Sequence, residues 1–248
     1  MNIQVFTKDD QAYGAFNGGE IIENKPVGFP REGGKLKPFS NLFYWANAIA
    51  KVDSTIGLHP HKGFEIMSFV ISGGIRHFDT KLNTWKDLSE GDVQIIRAGN
   101  GISHSEFMEK DSRMFQIWLD PDLQKTLSQE ASYDDYRKSD FPVVKSNTAE
   151  VTTLIGEGSP LGLDTADVET LRIKILNSPY TIKVKEERVH AVYILSGEFS
   201  ISGSKAATDD FVLIEDTEEI SFEGVGEVFL FSSPKEVKYQ TYAKSMKG

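Results

Sequence analysis

The sequence predicts an all-β chain built from two related domains in tandem, and three observations carry that expectation. Short stretches rich in β-branched and aromatic residues recur along the chain, separated by glycine, proline and asparagine turns at close spacing. At 248 residues there is length for one large β domain or two ordinary ones, with ample core in either case. Part of the first half is echoed in the second. Residues 189–197 lie over 65–73 when their Ser-Gly turns are superposed, and Asp210-Phe211-Val212-Leu213-Ile214 resembles Asp92-Val93-Gln94-Ile95-Ile96. Such self-similarity points to duplication of a β domain.

The elements follow in order. Asn17-Gly18-Gly19, Pro26, Pro30, Gly33-Gly34 and Pro38 punctuate the first 50 residues as a series of strands. Residues 41–52 fit strand or helix, with Phe43-Tyr44-Trp45 favouring strand. Residues 65–71 read as a strand that ends at the Ser72-Gly73-Gly74 turn and returns through 75–79. Gly91-Asp92 opens the strand 93–96, and Ala98-Gly99-Asn100-Gly101 makes a tight turn immediately before His104. Along 113–119, alternation places Phe115, Ile117 and Leu119 on one face and Met114, Gln116 and Trp118 on the other. Residues 120–147 turn polar and read as the connection, with one short helix. The domains are therefore placed at 1–130 and 131–248.

Hydrophobic content of 39% and charged content of 26% describe a soluble globular protein. No run approaches the roughly 18 apolar residues of a membrane span, and Met1 to Asp10 lacks the plan of a signal peptide, so a cytoplasmic location is expected. The chain has no cysteine, which removes disulfides and thiolate ligands together. With 27 Lys plus Arg against 37 Asp plus Glu, the net charge of −10 disfavours nucleic acid and anionic membranes as partners.

Two triplets carry the chemistry: His59-Pro60-His61 and His104-Ser105-Glu106 hold three of the five histidines. In a strand, residues two apart share a face, so each triplet offers a pair of donors. Three imidazoles and a carboxylate from adjacent strands make a site for a divalent first-row metal held by nitrogen and oxygen. Glu65 shares the parity of His59 and His61 and is expected beside the ligands, hydrogen-bonding a ligand imidazole or a backbone amide. His77 and His190 are read as structural. Superposing the Ser-Gly turns sets Lys183 and Lys185 opposite His59 and His61, and an ammonium has no lone pair for a metal. One site, in the first half only, is expected. Gly99 and Gly101 read as a turn rather than a phosphate loop, the acidic pairs Asp134-Asp135, Asp209-Asp210 and Glu218-Glu219 as solvated surface, and no Gly-x-Ser-x-Gly elbow is present.

Gly57-Leu58-His59-Pro60-His61-Lys62-Gly63-Phe64-Glu65, Gly91-Asp92-Val93-Gln94, Ala98-Gly99-Asn100-Gly101-Ile102-Ser103-His104-Ser105-Glu106 and Phe115-Gln116-Ile117-Trp118 resemble the signature of the pirin family within the cupin superfamily. The resemblance is dense across residues 55–119. It implies a bicupin, two jelly-roll-like double-stranded β-helix barrels, with one mononuclear metal in the N-terminal barrel at His59, His61, His104 and Glu106. Iron is the usual metal of the family, while His3Glu sites accept manganese, cobalt, nickel, copper or zinc as well. Several pirins are quercetin 2,3-dioxygenases, which implies a flavonol-like aromatic substrate, O2 as co-substrate and Glu106 as catalytic base. Met67, Phe69, Met114 and Trp118 are then expected to wall the substrate pocket. Eukaryotic members are nuclear transcription cofactors, so the alternative is a non-enzymatic, metal- or redox-dependent bicupin that binds a protein partner. A monomer is expected, because a bicupin already pairs its own barrels. The sequence departs from the family at Asp79-Thr80-Lys81-Leu82-Asn83, where a different turn is usual, and at Arg97, where the general cupin pattern has proline.

Overall fold

The structure, a computed structural model, describes residues 1–246. In chain order its strands are β1 (Asn2–Phe6), β2 (Ala12–Phe16), β3 (Ile21–Val27), β4 (Leu42–Ala50), β5 (Ser54–His61), β6 (Glu65–Ser72), β7 (Gly74–Asp79), β8 (Trp85–Ser89), β9 (Val93–Arg97), β10 (Ile102–Met108) and β11 (Arg113–Leu119). The short helix α1 (Leu123–Thr126) and strands β12 (Ser132–Tyr136), β13 (Val143–Lys145), β14 (Ala149–Ile155) and β15 (Glu169–Ile175) follow. The chain closes with β16 (Tyr180–Lys183), β17 (Arg188–Ile201), β18 (Ser204–Ala207), β19 (Phe211–Glu215), β20 (Glu219–Glu223), β21 (Gly226–Pro234) and the short helix α2 (Tyr242–Ser245).

Two compact units share this chain, and neither is one continuous stretch. The first comprises Gln11–Lys138, Leu163–Thr165 and the segment from Lys238 onward; the second comprises Met1–Asp10, Ser139–Gly162 and Ala166–Val237. The first has a seven-stranded sheet in the order β12-β9-β6-β11-β4-β3-β2 and a four-stranded sheet in the order β5-β10-β7-β8. In the second, the order β1-β19-β17-β21-β15-β14-β13 corresponds strand for strand to the first sheet, and β16 and β18 flank β20 and the far end of β17 in place of the second. The duplicated plan thus extends over every strand. Its ends differ from the sequence expectation: β12, inside the stretch read as a connection, pairs with β9 and completes the first sheet, while β1 pairs with β19 and holds the corresponding place in the second.

Local chemistry accounts for the strands that matter. β6 is buried along seven of its eight residues, as expected of a strand covered on both faces. The turn at 79–83 forms in spite of its unusual sequence: Asp79 Oδ1 accepts from the amides of Lys81 and Leu82 at 2.8 and 2.7 Å and so closes an Asx turn. Arg97 is held by Ser132 at 3.2 Å and Asp134 at 2.6 Å across the β9–β12 pair. Two glycines join the entry to β6 and the approach to β10. Gly63 (φ 83°) donates its amide to the Gly99 carbonyl at 2.9 Å, and Gly99 (φ 46°) sits so close to the Gln129 carbonyl that a Cβ there would lie 2.6 Å from it.

Candidate metal centre

β5 and β10 are antiparallel neighbours, and pairing sets His59 directly opposite His104 and His61 opposite Ile102. Alternation keeps His61 on the face of His59, and Glu106 on the face of His104. Three imidazoles meet as a result. Their ring centroids lie 4.4 Å (His59–His104), 4.7 Å (His61–His104) and 4.8 Å (His59–His61) apart. The Nε2 atoms of His61 and His104 approach to 2.9 Å. Two nitrogens bound to one metal at about 2.1 Å and at right angles stand roughly 3.0 Å apart, so this spacing already suits a shared ion. His59 Nδ1 is fixed on the Gly57 carbonyl at 2.7 Å, which leaves its Nε2 lone pair free to donate.

Burial keeps the His61 and His104 rings neutral, as metal ligands must be. Burial lowers the pKa of His61 from 6.5 to about 3, with His104 and His59 adding to the effect. Burial, with His59 and His77 beside it, holds His104 well below its usual range. Glu106 is wholly buried, and each carboxylate oxygen accepts one side-chain hydrogen bond, from Ser68 Oγ at 2.7 Å and from Gln116 Nε2 at 2.7 Å. Those partners are held in turn: Gln94 Nε2 donates to Ser68 Oγ at 2.9 Å, and Trp118 Nε1 donates to Gln116 Oε1 at 3.1 Å. A carboxylate oxygen has two lone pairs, so Glu106 keeps acceptor capacity on both oxygens. Neutral imidazoles with a positioned carboxylate are a nitrogen and oxygen donor set suited to a divalent transition metal.

Trp118 stands edge-on to His61 at 4.7 Å and belongs to an aromatic wall with Phe29, Phe43, Tyr44 and Phe64, against which Tyr242 of α2 packs. The run Phe43-Tyr44 was the sequence signal for this wall, but nothing local said that β4 would lie beside β11. The other residues expected in the pocket are elsewhere. Ser68 faces Glu106, so its neighbours Met67 and Phe69 project from the opposite face of β6, where both are buried. Met114 shares the face of Gln116 but packs among Ile56, Val70, Ile75, Leu88 and Met108 in an apolar layer.

Of the two kinds of bond expected of Glu65, the structure shows the one to backbone amides and none to a ligand imidazole. Its carboxylate accepts from the backbone amides of Asp164 at 2.7 Å and Thr165 at 2.9 Å, anchoring that short segment. The expected parity with His61 fails because the chain turns at Gly63 between β5 and β6. Lys183 and Lys185 do not take the ligand positions either: Lys183 is exposed and paired to Glu219 at 2.7 Å, while Tyr180 and Ile182 stand opposite Phe222 and Ile220 beside the apolar core. The second unit carries hydrocarbon where the first carries donors. His190 is satisfied at both nitrogens, by Ser232 at 2.7 Å and the Lys185 carbonyl at 3.1 Å.

Tandem all-β units of matching sheet order, with imidazoles and a carboxylate gathered on paired strands of one unit, define the class as a bicupin. The chain is pirin-like: the Pirin family model matches residues 24–119. A quercetin 2,3-dioxygenase of Escherichia coli strain K12 is 28% identical over 202 residues, which span 79% of this chain and 84% of that protein. The crystal structure of YhhW from Escherichia coli superposes with a TM-score of 0.78 at 25% identity, over 96% of this chain and 100% of that one. A second structure of that bacterial pirin, in complex with nickel(II), gives 0.76 at 24% identity over 95% and 100% of the two chains. No helix among the described residues is long and apolar enough to cross a membrane.

Proposed function

We propose that the protein is a metal-dependent dioxygenase that cleaves flavonol-type aromatic substrates with O2, opening the heterocycle and releasing carbon monoxide. The observation that carries this is the cluster of His59, His61 and His104, with the buried Glu106 two residues beyond His104 on the same strand, beside an aromatic wall. A divalent metal held by His59, His61, His104 and Glu106 supplies Lewis acidity toward an enolic hydroxyl and a path for electrons to O2. The rest is the work of the protein's own side chains. Glu106, aimed by Ser68 and Gln116, accepts the proton of the substrate 3-hydroxyl on a free lone pair. Trp118, joined to Gln116 through its indole N–H, presents a flat apolar surface to a planar ring and keeps water from the same place. The dioxygenase name of the 28% identical relative supports the substrate class.

Elemental analysis of the wild type beside His104→Ala tests the centre. About one metal per chain in the wild type and little in the variant supports it, and the element found directs an oxygen-uptake assay with quercetin. Metal without quercetin-dependent uptake would overturn the dioxygenase assignment. No metal after reconstitution would overturn the centre itself.

A further inference from the structure

The donors fall into two overlapping groups. His59, His61 and His104 offer atoms within 4.8 Å of one another, and so do His77, His104 and Glu106, all three of which are fully buried. The carboxylate lies within reach of His77 as well as of His104. β-pairing sets His77 directly across from Glu106, and Asp79 across from His104.

His77 is prepared as a ligand is. Its Nε2 is held by Asp79 Oδ2 at 3.1 Å, and the other oxygen of Asp79 is fixed by two backbone amides. A carboxylate behind a histidine is the arrangement that orients a metal-binding ring. Tyr133 stacks on the ring at 4.7 Å and 17°, which sets its plane. The remaining nitrogen, Nδ1, is buried with no hydrogen-bond partner. His190 makes the contrast, since both of its nitrogens are used in hydrogen bonds. His104 has the same divided character, with Nε2 toward His61 and Nδ1 buried and unpartnered. Unpartnered polar atoms in the interior are costly unless something binds them.

We propose that His77, His104 and Glu106 form an inner seat for a divalent transition metal, reached by exchanging His59 and His61 for His77 and sharing His104 and Glu106 with the outer centre. The proposal rests on the centre being a metal site. Donors on one ion at about 2.1 Å are separated by at most about 4.2 Å, so a group within 4.8 Å closes by side-chain shifts of roughly 1 Å or less. The two seats differ in chemistry. Two imidazoles and a carboxylate leave more open positions than three imidazoles and a carboxylate and are the donor set of iron(II) and its neighbours.

Cobalt(II) and zinc(II) serve as probes. In anaerobic equilibrium dialysis, the double variant His59→Ala with His61→Ala is expected to keep close to one cobalt(II) per chain, and adding His77→Phe to weaken that binding by about 100-fold. The second measurement does not depend on how His77→Phe folds: in the double variant labelled with nitrogen-15 at histidine, zinc(II) is expected to shift the His77 ring resonances. Loss of all cobalt(II) from the double variant while the wild type retains one equivalent overturns the inner seat and leaves the centre standing. Retained metal with unchanged His77 resonances, or unchanged affinity after His77→Phe, overturns it too. A wild type that binds no metal removes the underlying reading instead.

Discussion

Acidification should destabilise the metal-free protein through His61 in a way that can be calculated. The ring is neutral and buried in the folded state, where its pKa is about 3, and reverts to 6.5 on unfolding. Because the folded pKa is the lower one, the unfolded chain binds more protons as the pH falls below 6.5, and stability is lost across the window from there toward 3. At pH 5 linkage gives a loss of about 2 kcal/mol from this one group, against a few tenths at pH 7. His61→Leu removes the titrating group and keeps an apolar side chain against Trp118. Urea unfolding in the presence of a chelator, at pH 7, 6 and 5, should show the wild type losing about 2 kcal/mol more than the variant. Equal losses in the two proteins would refute the buried neutral imidazole. Saturating divalent metal should flatten the same profile, since protons and metal compete for the ring nitrogens.

Other outcomes follow from the same contacts. Ser68→Ala and Gln116→Leu each remove one charge-assisted hydrogen bond from Glu106, and each should cost about 1.5 to 3 kcal/mol in urea unfolding while weakening metal binding about 10- to 100-fold in dialysis. Glu65→Gln should lower stability by a similar amount through the amides of Asp164 and Thr165, yet leave the metal count per chain unchanged. Lys183→Ala should alter neither the metal count nor, measurably, the midpoint of urea unfolding, because its ion pair with Glu219 is exposed to solvent. Trp118→Ala should raise the KM for quercetin and leave metal content near the wild-type value, because the ring touches a ligand without being one.

The donor pairs His59 with His61 and His104 with Glu106 were legible in the sequence because strand alternation is local: residues two apart share a face wherever the strand lies. The face of β11 that carries Gln116 and Trp118 was legible for the same reason. Parity carried through a turn was not. Gly63 reverses the chain between His61 and Glu65, so the counting that made Glu65 a neighbour of the ligands ended at the turn. Met67 and Phe69 were misplaced by a different cause. β6 is apolar on both faces, and its composition does not say which face looks toward Glu106.

By itself, then, the sequence determined the all-β class, the duplication, the absence of thiolate chemistry and the shared strand faces of His59 with His61 and of His104 with Glu106, each of which depends on composition or on spacing within one strand. Tertiary structure alone decided what depends on which strands become neighbours. It completed the first sheet with β12 and the second with β1. It ran the hydrogen-bond chain from Gln94 through Ser68, Glu106 and Gln116 to Trp118 across four strands. It also brought His77, 29 residues before Glu106 in the chain, directly opposite it. Pairing register is a long-range property, set when the hydrophobic faces of distant segments find a common core, and no count along one segment contains it.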